Sequence, residues 1–139
     1  MKKAMIITIL AICAFTANAQ KLSTGKVPSS VKNGLLKVHP GVAATWEWED
    51  ANYEANFKEH GKAVSCVLDE TGTILETETE IAQSELPQAA STYVSDHYKG
   101  KTIKEITSIK KGNGEVNYEV AVAGKELIFD QSGKLKKDK

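Results

Sequence analysis

The chain has 139 residues, 18 basic and 18 acidic, with 41% hydrophobic and 26% charged residues. That size and balance suit one compact domain and exclude an extended disordered chain. Every basic residue is lysine, and a near-neutral chain without arginine is poorly equipped to bind nucleic acid.

The N-terminus has the form of a secretory signal. Lys2 and Lys3 precede an uncharged apolar run from Ala4 to Phe15. Ala17-Asn18-Ala19 offers the small residues of a cleavage site, so cleavage is expected before Gln20. The run is shorter than the roughly 20 residues of a membrane-spanning helix, so no stable membrane insertion is expected after cleavage. Cys13 follows Ile12, not the small residue that a lipidation motif needs. Loss of residues 1–19 leaves 16 lysines against 18 acidic residues and one cysteine, Cys66. An intramolecular disulfide is then excluded. Cys66 lies in the β-like run Ala63 to Leu68 and reads either as a buried small hydrophobe or as a reactive thiol.

Beyond Gln20 the chain reads as two similar units. Pro28 opens a helix with Val31, Leu35 and Val38 at helical spacing, and Gly41 follows as its stop. Trp46 and Trp48 alternate with Glu47 and Glu49, and Tyr53, Ala55 and Phe57 alternate with Glu54, Asn56 and Lys58. Such alternation predicts strands with one packed and one polar face. Turn chemistry stands at Asp50 to Asn52, Glu59 to Lys62 and Asp69 to Gly72. The order then recurs. Pro87 and Gly100 lie 59 residues beyond Pro28 and Gly41, with Ala90, Val94 and His97 as the helix positions. Asn117-Tyr118-Glu119-Val120 matches Asn52-Tyr53-Glu54-Ala55, Gly124-Lys125 matches Gly61-Lys62, and Asp130 to Gly133 matches Asp69 to Gly72. The predicted fold is therefore α+β: two tandem repeats, about 26–81 and 85–136, each a helix followed by an antiparallel meander of about four strands. The helices would pack on one sheet face. The basic run Lys134 to Lys139 reads as a solvated C-terminus, with an anion or membrane-surface patch as the alternative.

The pairs Val27-Pro28 and Leu86-Pro87, with His39-Pro40-Gly41, Asn52-Tyr53-Glu54-Ala55, Gly61-Lys62, Asp69 to Gly72 and their second-unit partners, resemble the exported PepSY-like proteins. The resemblance spans essentially all of residues 20–139. It implies a fold like that of beta-lactamase inhibitor protein, a periplasmic location and a peptidase-inhibitor-like role.

No catalytic signature accompanies these motifs. The chain has no G-x-S-x-G, P-loop or dinucleotide fingerprint. His39, His60 and His97 are scattered and read as capping or solvated residues. Glu76, Glu78 and Glu80 alternate along one strand, which spaces same-face carboxylates about 6.5–7 Å apart. With oxygens from the Asp69 and Asp130 turns they form a candidate calcium set, although a solvated strand is the simpler reading. Trp46 and Trp48 read either as core beneath the helices or as interface anchors. The expectation is a noncatalytic periplasmic binding module with no resident cofactor. Its partner is an exported protein, and its candidate sheet face is Trp46, Glu47, Trp48, Glu49, Glu54, Asn56, Lys58 and Glu119. The alternative is a calcium- or small-ligand-binding envelope sensor.

Overall fold

The structure is a computed structural model that describes residues 19–138. The expected signal segment lies outside the described residues except for Ala19. Nine strands form one antiparallel sheet in chain order. They are β1 (Gln20–Leu22), β2 (Thr45–Glu49), β3 (Asn52–Glu59), β4 (Lys62–Leu68), β5 (Ile74–Glu80), β6 (Ile103–Lys111), β7 (Val116–Val122), β8 (Lys125–Asp130) and β9 (Leu135–Asp138). Helix α1 (Ser29–Val38) precedes β2, and α2 (Gln88–His97) precedes β6.

This order corrects the expected fold of two repeats, each a helix with four strands. The hydrogen-bonded ladder does not break between the expected units. β5 pairs with β6 from Glu76 opposite Lys111 to Glu80 opposite Thr107, which makes one sheet. The polar β5 sequence disguises this join, since threonine and glutamate side chains leave the backbone free to pair. A further strand, β1, precedes α1 and pairs with β2; three residues are too few to show alternation. The basic run at the C-terminus is also not a free tail. It forms β9 against β8, with Lys136 bonded to Glu115 at 2.8 Å and Lys125 to Asp138 at 2.7 Å.

The helices form where proline sets the entry. Pro28 and Pro87 have φ −56° and −54°, the angle the ring imposes. Their carbonyls accept from Lys32 and Ser91 at 3.1 Å. Each helix then buries an i, i+4 pair, Val31 with Leu35 and Ala90 with Val94. The third expected core position fails in both. Val38 is 60% exposed and His97 is exposed, so both point away from the sheet.

Register sorts the strand residues. Ala55, Phe57, Val64, Cys66 and Leu68 pack under α1 with Trp46. Ile106, Val120, Val122, Leu127 and Phe129 pack under α2. Cross-strand pairs carry the same face through the centre, from Cys66 to Thr77 to Lys110. Both helices therefore cover one face, and Glu47, Glu54, Glu76, Glu78 and Glu119 point to the other. Three two-residue hairpins hold that register. In Asp50-Ala51, His60-Gly61 and Ala123-Gly124 both central residues have positive φ, the turn whose twist matches the strands it joins.

Helix α1 also touches the β4–β5 turn through two glycines. A Cβ on Gly34 would overlap the Gly72 carbonyl, and one on Gly72 would overlap the Ser30 carbonyl. Ser30 Oγ donates to the Glu70 carbonyl at 2.9 Å in the same contact. Backbone stands on both sides, so no side chain can swing away. Gly34→Ala is expected to lower stability by about 1–3 kcal/mol, the usual range for overpacking. Urea denaturation checks this; an unchanged midpoint would show that the helix can slide outward freely.

Candidate functional site

The helix-free face is built from aligned rows. One runs Glu47, Glu54, Val67, Glu76 and Lys111 across β2 to β6. The next runs Thr45, Asn56, Ser65, Glu78, Ile109 and Asn117 across β2 to β7. Glu80, Thr107 and Glu119 begin a third. Glutamate thus recurs on neighbouring strands, where like charges destabilise one another.

The electrostatics follow from that crowding. Burial pushes the Glu78 carboxyl up to about 8, and the Glu76 charge, a hydrogen bond with Glu76, and the Glu119 and Glu54 charges push the same way. The Glu78 carboxyl therefore keeps its proton at neutral pH. Burial also raises Glu49, helped by Glu54, Asp50 and Glu47, and it raises Glu105, helped by Glu80. Glu54 is only 3% exposed and accepts a 2.8 Å hydrogen bond from Ser65 Oγ.

The sign of the pH effect follows by linkage. Glu78 keeps its proton in the folded chain up to about 8, whereas the unfolded chain releases it near 4.5. The folded state binds more protons across that window, so stability falls as pH rises through it and levels off above. Glu78→Gln is expected to flatten this slope and to be the more stable protein at pH 9. Urea midpoints at pH 5.5 and 9 provide the check; equal slopes for both proteins would contradict it.

A groove of about 820 Å³ lies over this face. Its walls include Lys21 and Thr24 before α1, Asn56 and Lys58 of β3, Ser65 of β4, Glu78 and Glu80 of β5, Glu105, Thr107 and Ile109 of β6, and Glu119 of β7. Of the expected set, Glu47, Asn56, Lys58 and Glu119 line it. Glu49 and Glu54 share the face but lie outside the groove. Trp46 borders it, yet its side chain is 4% exposed and belongs to the α1 core. Trp48 also faces the helix side, edge-on to Tyr53 at 4.6 Å. Both tryptophans are thus separated from the glutamates by strand alternation, and one surface cannot present the whole set. Sequence reasoning missed Ser65, Glu105 and Thr107. Their alternation in β4 and β6 was the available signal, but the face of β6 depends on its pairing with β5.

The candidate calcium donors are dispersed. Asp69 Oδ1 accepts from Thr71 N and Oγ1 and from Thr73 N, and Asp130 Oδ1 accepts from Ser132 N and Oγ and from Lys134 N. These bonds hold both aspartates below their ordinary value, the threonine or serine hydroxyl contributing most. Among the described residues, no group of three or more His, Cys, Asp and Glu is arranged to hold a metal ion.

A second cluster lies on the helix side. His39 Nδ1 is 3.0 Å from Glu59 Oε2, and its Nε2 is 3.7 Å from Cys66 Sγ. A Glu59 carboxylate only accepts, so Nδ1 donates and Nε2 is left to accept from the thiol. The order thiol, imidazole, carboxylate is that of an activated nucleophile, but Cys66 is 0% exposed. Burial pushes its thiol up, against a lowering hydrogen bond from Thr77 and with the Glu59 charge adding to the rise. The cluster pins the end of α1 to β3 and β4. Its members lie 20 and 27 residues apart in sequence, and no local motif announces it. His39→Ala is expected to speed modification of Cys66 by a thiol reagent about tenfold, equivalent to about 1.4 kcal/mol of easier opening. An unchanged rate would show that His39 does not close the core there.

No protein-family model matches the chain, and no curated protein sequence matches it. Solved structures do. A candidate periplasmic protein of Bacteroides eggerthii superposes with TM-score 0.77 at 17% identity, over 81% of this chain and 88% of that one. A BLIP-like protein of Bacteroides fragilis gives 0.67 at 23%, over 81% and 84%. A DUF2874 family protein of Bacteroides ovatus gives 0.72 at 20%, over 81% and 86%. At these identities the likeness shows the fold, which is BLIP-like; the PepSY part of the resemblance gains no support. Among the described residues, no helix is long and apolar enough to cross a membrane.

Proposed function

We propose that this chain is a noncatalytic binding module of the periplasm that docks an exported protein partner on the helix-free sheet face. The observation that carries the reading is the groove of about 820 Å³ over that face. Its walls bring together Glu47, Glu78, Glu80, Glu105 and Glu119 from four strands. Charge complementarity makes the docking segment lysine- or arginine-rich. Lys21 and Lys58 at the groove add specificity, because a purely polycationic surface would be repelled there. The signal-like N-terminus and the similar structure described as a candidate periplasmic protein support this compartment. A partner that is itself an exported enzyme would make the module inhibitor-like, a fold-level analogy only.

The test uses residues 20–139 and a synthetic decapeptide of alternating lysine and serine, read by fluorescence anisotropy at low and moderate salt. Glu47→Lys with Glu119→Lys is expected to weaken binding at least about tenfold, or about 1.4 kcal/mol. Glu70→Lys, on an exposed turn away from the face, is expected to leave it unchanged. Equal binding by the double variant and the original chain would overturn the placement of the site.

A further inference from the structure

Asparagine precedes glycine twice in the chain, at Asn33-Gly34 and at Asn113-Gly114. In this pair the backbone nitrogen of the glycine can attack the asparagine side chain with little hindrance, because glycine has no Cβ and rotates freely. Both asparagines are exposed, so access to solvent does not separate them. The backbone does. Asn33 and Gly34 lie in the middle of α1 (Ser29–Val38), where the Gly34 N–H belongs to the helical ladder and Gly34 is pressed against Gly72. Asn113 and Gly114 lie in the turn between β6 and β7, where Lys111 to Glu115 are all exposed. The ends of that turn are fixed: Gly112 N donates to the Leu75 carbonyl at 2.7 Å and Lys111 N to the Glu115 carbonyl at 2.9 Å. Inside it, Asn113 Oδ1 accepts from the Glu115 N–H at 2.9 Å. That bond folds the side chain back along the peptide that joins Asn113 to Gly114. Gly114 has φ +88°, and its N–H donates to the Lys111 carbonyl at 2.9 Å.

We propose that Asn113 is a self-modifying site: the Gly114 nitrogen closes on the Asn113 side chain, and water then opens the ring to aspartate or isoaspartate. The Gly114 N–H gives its proton to solvent, and a bond forms from that nitrogen to Asn113 Cγ. The bond from Cγ to the side-chain nitrogen breaks, and ammonia leaves with a proton from solvent. Water adds to one of the two ring carbonyls and breaks its bond to the ring nitrogen. The net change is amide plus water to acid plus ammonia, with no oxidant or reductant. The Glu115 N–H that holds Oδ1 stabilises the negative charge that this oxygen gains during the attack. Reaction requires the Gly114 N–H to leave the Lys111 carbonyl, a local opening of an exposed turn. At Asn33 the helix must break and leave Gly72 as well, which is a larger and rarer opening. Isoaspartate adds one carbon to the backbone of the turn and so strains the Lys111–Glu115 bond that closes β6 on β7. Glu115 also accepts from Lys136 at 2.8 Å and from Asn117 at 2.9 Å, so the altered turn bears on the tie to β9. None of Lys111 to Glu115 lines the groove, and the site stands independently of the binding face.

Incubation of residues 20–139 in mildly alkaline buffer, with and without concentrated urea, measures the reaction. Peptide mass spectrometry follows the gain of about one mass unit at each asparagine as amide becomes acid. Resistance to an aspartate-directed protease marks the isoaspartate fraction. In the folded chain Asn113 is expected to convert at least about tenfold faster than Asn33, and in urea the two rates are expected to converge. Asn113→Gln, whose longer side chain cannot close the same five-membered ring, is expected to stay unmodified at that position. Equal rates at the two pairs in the folded chain would overturn the proposal. So would conversion of Asn113 only in urea, which would show that the Lys111 and Glu115 bonds protect the turn. Aspartate without isoaspartate would overturn the ring closure.

Discussion

Both helices lie on the same side of the sheet, and the placement of most strand glutamates follows from that asymmetry. A carboxylate beneath α1 or α2 would meet Leu35, Leu68, Phe129 and their neighbours with nothing to solvate it. Strand alternation offers only one other direction. The glutamates of β2, β3, β5 and β7 therefore gather on the open face. The sheet cannot spread them apart, because its strands stay within hydrogen-bonding distance of one another. The raised Glu78 carboxyl is the local answer to a crowding that the helices impose from the opposite side.

The helix side is not uniformly apolar either. One cluster lies under α1 and another under α2. Between them the same face carries Thr77 and Thr79 of β5 opposite Lys110 and Ser108 of β6. This polar seam joins the two clusters through the β5–β6 backbone ladder and a 3.6 Å contact between Cys66 Sγ and Thr77 Oγ1. Lower apolar density at the seam makes it the place where the sheet can flex with least loss of packing.

Much of the fold is legible in the residues themselves. Proline entries, alternating strands and the Asp-x-x-Gly turns each depend on neighbours in sequence, and the corresponding elements form where expected. Pairing across β5 and β6 is different. Thr-Glu-Thr-Glu alternation shows no apolar face, so nothing local says which strand lies beside it. The strand β1 is too short for periodicity. The site divides in the same way. Alternation alone separates Glu47 and Glu49 from Trp46 and Trp48, but the side that meets the helices is decided by long-range register. That decision places Trp46 in the core and Trp48 on the helix side against Tyr53, and it leaves the open face to carboxylates. The His39, Glu59 and Cys66 contact has no local signal, since its members meet only after β3 and β4 have paired.

Strand order following chain order has a kinetic consequence. Every strand's neighbours in the sheet are also its neighbours along the chain, which keeps loop-closure costs small and contact order low for a protein so rich in β structure. A chain delivered from its N-terminus would find each new strand's template already in place. The sheet can then assemble by successive addition without threading or waiting for a distant segment. The exposed edge advances from β2 to β9, where Lys136 and Lys137 flank the final edge with positive charge. Such charge opposes pairing of that edge with another copy.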